Sequence, residues 1–432
     1  MLRVRNRTQG ETPEALLSIA GPFARVASLS AEALSVAEWS VTSASTFLSA
    51  TSLGIWLYLT LGRGMFWHLR PFDDDSIQHA ATEHAAPPRW PRVVAIIPAR
   101  NEAATIAATT SALLRQDYPG EFSFIVVDDH SEDETPRIAQ HFAKQHNAES
   151  RVQIHLASPL PPGWTGKLWA LDEGVRHVGP QVPEFYWFTD ADVVHAPDTL
   201  RRLVARAEQD RLDLVSLMVL LQAKTLPERA LIPAFLFFFL KLYLPRWIAD
   251  PNARTAGAAG GCILLRRSAL EKIGGLAAIR SEVIDDCSLA RAVKRAGGPI
   301  WMGVTRASHS LRAYVTFAEI RDVIARTAFT QLRYSASLLA GTLAGLALTY
   351  IAPVALLFTH LVTARILALA AWLLMSLTFL PTVRFYRLSP LWAPLLPLAA
   401  LFYAYATWLS AVRYWFNRGA QWKGRAQAPR RV

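Results

Sequence analysis

Four stretches of this chain are apolar for long enough to cross a membrane as helices, and they sit at its two ends. A hydrocarbon core of ~30 Å takes about 20 helical residues. One run lies near 43–61, ending Gly-Ile-Trp-Leu-Tyr-Leu-Thr-Leu with Arg63 just beyond; three more crowd the C-terminus near 336–358, 361–380 and 391–412. Trp and Tyr sit near several of their ends, as interfacial anchors do. Buried helices of a soluble core are rarely so long or so clustered at the chain ends. Composition agrees. Apolar residues make up 52% of the 432 and charged residues 18%, a lean towards a membrane protein. The first run begins far from Met1 and lacks a small-residue cleavage pattern, so it does not read as a cleavable signal peptide.

Arg63, Arg70, Arg89 and Arg92 follow the first run, which places the next domain in the cytoplasm by the positive-inside tendency. Arg384 and Arg387 suit a cytoplasmic loop between the last two runs. Three C-terminal spans then put the basic tail, Arg413 to Arg431, outside, against the same tendency; a re-entrant or interfacial segment is the open alternative. The expected organisation is an N-terminal extension over 1–40, a membrane helix over 41–62, a central domain over 90–335, membrane helices over 336–412 and a tail over 413–432. The expected location is the inner membrane, multi-pass. The formal net charge of +11 suggests anionic headgroups or an anionic substrate. No basic stripe interleaved with aromatics occurs, so nucleic acid is not an expected partner. Cys262 and Cys287 have no C-x-x-C partner, which argues against a zinc or disulfide framework.

Between the apolar ends, strands and helices alternate. Val93–Ile97 is a β-branched run closed by Pro98, followed by Ala99-Arg100-Asn101-Glu102 and a helix to about Gln116. Phe122–Val127 precedes Asp128-Asp129; a helix over about Thr135–Gln145 and a strand over Val152–Leu156 follow. Another helix starts near Lys167, and Phe185–Thr189 is the next strand. This order predicts an α/β domain with a mostly parallel sheet covered on both faces.

Residues 185–192, Phe-Tyr-Trp-Phe-Thr-Asp-Ala-Asp, end an aromatic strand in two carboxylates. Side chains on a strand alternate faces, so Asp190 and Asp192 are expected on one face at its carboxyl end, the edge where open α/β sheets bind ligands. Two hard oxygen ligands there suit Mg²⁺ or Mn²⁺ holding a diphosphate, although Asp is also a common turn residue. No Gly-x-Gly-x-x-Gly follows the first strand and no Walker sequence occurs. Neutralising a diphosphate then falls to metal and side chains, with Arg100 and Lys167 as candidates. Asp285 and Asp286 precede an apolar helix face. Either one is a helix cap, worth about 1 kcal/mol, or the pair supplies a general base. Ala256–Leu265 reads as a glycine-rich turn into a strand.

Together these pieces resemble the family 2 glycosyltransferases over roughly residues 90–335. The resemblance implies a nucleotide-diphospho-sugar transferase fold, the GT-A, Rossmann-like type, here with flanking transmembrane helices. Pro98-Ala-Arg100-Asn-Glu102 is similar to the family's donor-site start. Val-Asp-Asp-His-Ser-Glu-Asp-Glu-Thr, 127–135, is similar to the segment whose Asp holds the uracil and ribose region, which maps to Asp129. Gly166-Lys167 is similar to a Gly-Lys segment beside the donor. Thr-Asp-Ala-Asp, 189–192, matches the metal-binding D-x-D, and Ile-Asp-Asp-Cys-Ser-Leu matches the Glu-Asp-x-x-Leu region, which makes Asp286 the base with Asp285 beside it. The implied set is thus Asp286 and Asp285 as catalytic groups, Asp192 and Asp190 as Mg²⁺ or Mn²⁺ ligands, and Pro98, Arg100, Glu102, Asp129, Lys167, Asp190 and Arg333 around the donor.

Pro161-Pro162-Gly163-Trp164-Thr165-Gly166-Lys167, Trp422-Lys423-Gly424-Arg425 and the stretches DLVSLMV, ERALIPAF, AAGGCILLRR, DDCSLARAVKR and TAFTQLRYS resemble the hopene-associated glycosyltransferases. The implied reaction is inverting, metal-dependent transfer of a sugar from a nucleotide-diphospho-sugar, with UDP favoured, to a membrane lipid in hopanoid or related isoprenoid metabolism. Polymer-forming relatives carry Gln-x-x-Arg-Trp; Gln331-Leu332-Arg333-Tyr334 is one residue shorter and lacks Trp, which argues against a processive polysaccharide synthase. A non-catalytic lipid-binding membrane protein is the other alternative, and the complete acidic set argues against it. Residues 230–248 are almost wholly apolar and aromatic, and read as either a core helix or a helix lying in the bilayer surface.

Overall fold

The computed structural model describes residues 43–72, 89–179, 182–416, 421–422 and 425–426. The expected extension over 1–40 and most of the tail beyond 416 lie outside the described residues. In chain order the main elements are α1 (Ser43–Gly62), β1 (Val93–Ala99), α2 (Ile106–Leu114), β2 (Phe122–Asp128), α3 (Thr135–Gln145), β3 (Val152–Leu156), α4 (Gly166–Arg176), β4 (Phe185–Thr189), β5 (Val193–Val194), α5 (Thr199–Gln209) and β6 (Leu214–Leu220). There follow α6 (Leu226–Leu242), α7 (Pro245–Ala249), β7 (Cys262–Arg266), α8 (Arg267–Lys272), α9 (Asp285–Arg295), β8 (Ile300–Ser310) and α10 (Phe317–Gln331). The helices α11 (Ala336–Phe358), α12 (Val362–Phe385) and α13 (Pro390–Trp415) complete the described body.

One sheet of eight strands in the order β3-β2-β1-β4-β7-β6-β8-β5 carries the central domain. Neighbours β3-β2-β1-β4 are parallel; β7 runs antiparallel between β4 and β6, and β8 is parallel to β6. The carboxyl ends of β1, β2, β4 and β8 therefore share an edge with the start of β7.

Period-two alternation splits each inner strand between two cores. Val94, Ile96, Ile125, Val127, Tyr186 and Phe188 face α4 through Leu168, Ala170 and Leu171. Val93, Ala95, Ile97, Phe124, Val126 and Trp187 face Ile106 and Leu113 of α2, Ala139 of α3 and Leu200 and Leu203 of α5. Strands covered on both faces need apolar residues at every position, which explains the unbroken β1 and β4 runs. Each fully buried large side chain contributes about 1.5–3 kcal/mol. β1 continues through Pro98 to Ala99, two residues past the predicted end. Its pairing with β4 stops at Ile96, so Pro98 lies where one flank is already open and a missing N–H is tolerated.

Residues 230–248 fall within a fifth helix pair long and apolar enough to cross a membrane, Leu226–Ala249, beside the four expected runs. A capping box starts it: Thr225 accepts from the Glu228 N–H and the Glu228 carboxylate accepts from Thr225 N–H, worth about 1 kcal/mol. Its aromatic face is enclosed by other apolar helices. Phe237 lies 5.2 Å from Phe379 of α12 and Phe238 lies 4.9 Å from Tyr403 of α13. Trp56 of α1 donates to the Thr349 carbonyl of α11 at 2.8 Å. Lys294, near the end of α9, donates to the carbonyls of Trp247, Ile248 and Thr255, each at 2.8 Å, and so caps the end of α7.

α4 lies close against the sheet because Gly174 has no side chain. A Cβ there would stand 2.4 Å from Ile96 Cγ2 and 3.1 Å from Val127 Cγ2. Gly174→Ala is therefore expected to destabilise the fold by about 1–3 kcal/mol, seen as a lowered unfolding midpoint of the detergent-solubilised protein; an unchanged midpoint would show that α4 yields freely.

Candidate active site at the carboxyl edge of the sheet

Chain direction gathers acids at one edge. β4 ends at Thr189, and the following turn carries Asp190 and Asp192. The strand alternation expected to align these two carboxylates therefore stops one residue too early. They take different partners. Asp190 Oδ1 lies 2.8 Å from Lys167 Nζ in the first turn of α4, while Asp192 Oδ2 accepts from Ser310 Oγ at 2.9 Å and Arg312 Nε at 3.2 Å, both just at or beyond the end of β8. Burial raises the Asp190 pKa, Lys167 opposes that rise, and the nearby Asp192 charge adds to it.

Lys167 also reaches Asp285 Oδ2 at 3.4 Å. Burial works against its ammonium, but the carboxylates of Asp190 and Asp285 outweigh this and raise its pKa. Asp285 and Asp286 occupy the first turn of α9 and neither caps it; the N-cap is Ile284. Freed from capping, the two acids sit at the positive end of the helix. Asp286 Oδ2 accepts from Gly260 N–H at 2.9 Å and its Oδ1 from Cys287 N–H at 2.7 Å. Withdrawal from water and the Asp285 charge raise the Asp286 pKa to about 6, against the Lys167 charge and these two hydrogen bonds. Gly260 permits this crowding: a Cβ would lie 3.0 Å from Lys167 Nζ and 3.4 Å from Asp286 Oδ2. Pro98, Lys167, Asp190, Gly260, Asp285 and Asp286 line one cleft, floored by Leu168, Phe188 and Ile263.

Glu102 joins from the β1–α2 loop, its Oε1 accepting from Arg312 Nη2 at 2.8 Å. Arg312 thus bridges Glu102 and Asp192. Its loop is tied to the one after β2: Asn101 N–H donates to Ser131 Oγ at 3.0 Å, and Glu102 N–H to Thr135 Oγ1 at 2.8 Å. Asn101 and His130 hold φ of 53° and 54°, left-handed conformations that a tight loop imposes on non-glycine residues. Arg100 is buried and donates to the carbonyls of Asp129 and, at 3.0 Å, His130. It secures the end of β2, and Asp129 lies fully buried beside it. Arg333 stands apart, in the turn after α10 with φ 53°; no contact among the described residues joins it to the acids. Gln331 reaches inward instead, accepting from Tyr243 Oη at 3.0 Å.

Sequence reasoning missed Arg312, Ser310, His195 and Tyr243. The first two lie just beyond and at the end of a strand not assigned from sequence, β8, whose parallel pairing to β6 brings its end to this edge. His195 is buried behind the acidic turn. Thr189 Oγ1 donates to the Gly261 carbonyl at 3.1 Å, so it accepts from His195 Nε2 at 2.8 Å, and Nδ1 accepts from Ser308 Oγ at 2.9 Å. Burial and the neighbouring His309 lower its pKa to about 3, and the ring stays neutral.

The oxygen donors of Asp190 and Asp192 fit a hard divalent ion. Glu102, Asp190, Asp192, Asp285 and Asp286 outnumber Lys167 and Arg312, leaving an excess of negative charge for one. Arg312 lies on Oδ2, one of the two Asp192 oxygens that could serve such an ion.

A family model described as Glycosyl transferase family 2 matches residues 94–274, which span β1 to α8 and include the acidic turn. Over these residues the chain is similar to the glycosyl transferase family 2 domain. Over 213 residues it is 27% identical to the probable glycosyltransferase YdaM of Bacillus subtilis, covering 46% of this chain and 47% of that one; the chain thus spans about half the length of the curated relative it matches. The mannosyltransferase PcManGT from Pyrobaculum calidifontis, solved in complex with GDP-Man and Mn²⁺, superposes with a TM-score of 0.53 at 20% identity, covering 87% of this chain and 99% of that one. The family 2 domain has the GT-A fold, flanked by apolar helices.

If Arg312 occupies a metal ligand, its removal frees Asp192. Arg312→Ala is expected to tighten Mn²⁺ binding by about tenfold, since one unit charge a few ångströms away is worth more than 1.4 kcal/mol at intermediate dielectric. Mn²⁺ titration followed by electron paramagnetic resonance checks this; weaker binding would show that Arg312 supports the site instead.

Proposed function

We propose that this protein transfers a sugar from a nucleotide-diphospho-sugar to a hydroxyl of a membrane lipid, with inversion at the anomeric carbon. The observation that carries the reading is the cleft in which Asp286, its pKa raised to about 6, stands beside the Lys167–Asp190–Asp285 cluster. A general base works best when its pKa lies near the operating pH. Asp286 takes the proton from the acceptor hydroxyl as its oxygen attacks the anomeric carbon. Lys167 faces the diphosphate, and Arg312 joins it there on leaving Asp192. Pro98 borders the nucleoside side with Arg100 as the brace of its loop, Glu102 positions Arg312, and Asp129, fully buried here, and Arg333 approach only by movement of their loops.

Asp192 and Asp190 would hold Mg²⁺ or Mn²⁺, which stabilises charge developing on the departing diphosphate. The Mn²⁺ and GDP-Man of PcManGT support this choice of cofactor and donor class. The resemblance favours UDP over GDP. A diphosphate leaves without protonation by a second acid, in contrast to two-carboxylate hydrolysis.

Five apolar helices among the described residues support a multi-pass location in the inner membrane, and Arg63 and Arg70 support a cytoplasmic face for the domain. α6 brings that apolar body to the site, because Tyr243 just beyond it touches Gln331 and adds to the polar surroundings of Cys287 and Asp286. A lipid acceptor reaches Asp286 from this side, and a hopanoid or related isoprenoid alcohol is the proposed class.

Incubation of the purified protein with a panel of nucleotide sugars and membrane lipids, followed by mass spectrometry of the lipid fraction, tests the reading; a polymer or no lipid product would overturn it. Asp286→Asn is expected to keep donor binding and lose transfer by about 10²- to 10⁴-fold. Wild-type kcat/KM should rise with pH through an acidic limb near 6, because the protonated carboxyl below that pH accepts no proton. Asp285→Asn removes a charge that raises the Asp286 pKa, so the limb should move to lower pH; an unmoved limb would assign it to another group.

A further inference from the structure

A second cluster lies towards the other end of α4, outside the cleft. Glu173 and His177 are one helical turn apart, on one face of the helix, with His177 just past the last turn. They meet His155 of the edge strand β3. Side-chain ligand atoms of the three residues lie within 4.8 Å of one another. Glu173 is 3% exposed and its Oε2 accepts from Ser158 N–H at 3.1 Å, Ser158 Oγ at 2.9 Å and His155 Nε2 at 3.2 Å. These donors fix the carboxylate in place. The imidazoles of His155 and His177 stack with centroids 3.7 Å apart; an ion binding here takes the place of the proton that His155 Nε2 shares with Glu173, and that proton is released.

The hydrogen bond of His177 sets its tautomer. Nδ1 lies 2.7 Å from the Glu173 carbonyl oxygen. A carbonyl only accepts, so Nδ1 carries the proton and Nε2 presents its lone pair. Metal-binding histidines are commonly oriented in this way, the second ring nitrogen donating to a backbone carbonyl. His177 is exposed and Glu173 buried, which gives an ion an entry path from solvent.

We propose that His155, Glu173 and His177 form a binding site for a divalent transition metal of the zinc class. Two imidazoles and one carboxylate suit Zn²⁺, whereas the acidic turn offers oxygen alone and suits Mg²⁺ or Mn²⁺. Four-coordinate Zn²⁺ needs ligand atoms roughly 3.3 Å apart, a contraction that the exposed His177 side chain supplies by a small rotation. The ion clamps β3 to the helix that carries Lys167. Glu173 lies six helical steps from Lys167, about 9 Å along the axis, and shares no ligand with the cleft.

The test uses the full chain in detergent, stripped with chelator and titrated with Zn²⁺ alone in the presence of excess Mg²⁺ to occupy oxygen-only sites. Co²⁺ as a second probe reports four-coordinate geometry through its visible absorption. One equivalent of Zn²⁺ should bind at micromolar concentration or below, and His177→Ala should weaken it by about 100-fold while far-ultraviolet circular dichroism stays unchanged. Glu173→Gln should weaken it as well, and Asp192→Asn should leave it intact. The proposal is overturned by a Zn²⁺ affinity that His177→Ala does not change, or by an absence of stoichiometric binding, in which case the cluster is a hydrogen-bonded brace alone.

Discussion

The ammonium of Lys167 is the interaction on which the candidate site depends. It sits between Asp190 at the end of β4 and Asp285 at the start of α9, 2.8 and 3.4 Å away, and so joins three elements far apart in sequence. Without it, Asp190, Asp285 and Asp286 face one another as like charges in a cleft with an apolar floor. Removing one partner of a half-buried pair such as this leaves the other charge uncompensated in a partly desolvated cleft. Gly260 is the complement of this lysine, since any larger residue there competes with the ammonium for space.

A second support lies beneath the acidic turn. The chain from Gly261 through Thr189 and His195 to Ser308 is a run of neutral hydrogen bonds in which every ring nitrogen has its partner. Fully satisfied buried networks of this kind rigidify what they underlie. A charged imidazole in its place would compete with a metal for the carboxylates above. Burial keeps that charge away, so the electrostatics of the edge are set by Lys167 and Arg312.

Much of the sheet was legible because its strands are buried on both faces and closed by recognisable breaks. The aromatic run 185–189 and the β-branched run 93–97 left little alternative to inner strands, and Val152–Leu156 and Thr135–Gln145 fall where the pattern put them. The acids at strand ends followed from parallel order. What escaped the sequence were relations between distant segments. Nothing local in Ser-His-Ser-Leu-Arg announces that Arg312 lies on Asp192, 120 residues earlier in the chain. Arg100 has the composition of a phosphate ligand, but its guanidinium holds the end of β2. The aromatic content of 230–248 left core and interface indistinguishable, because both bury the same side chains; the neighbours of α6 are set by α12 and α13, far along the chain.

Lys294 adds a geometric consequence. One end of α9 bears Asp286, and near the other Lys294 grips the end of the α6–α7 pair through three carbonyls. Eight helical steps of uninterrupted helix join them, about 12 Å. The height of the carboxylate above the apolar pair is therefore fixed by a stiff rod and not by a loop. Such a rod behaves as a gauge: it holds the carboxylate at one set distance from the apolar pair, whatever the loops around it do.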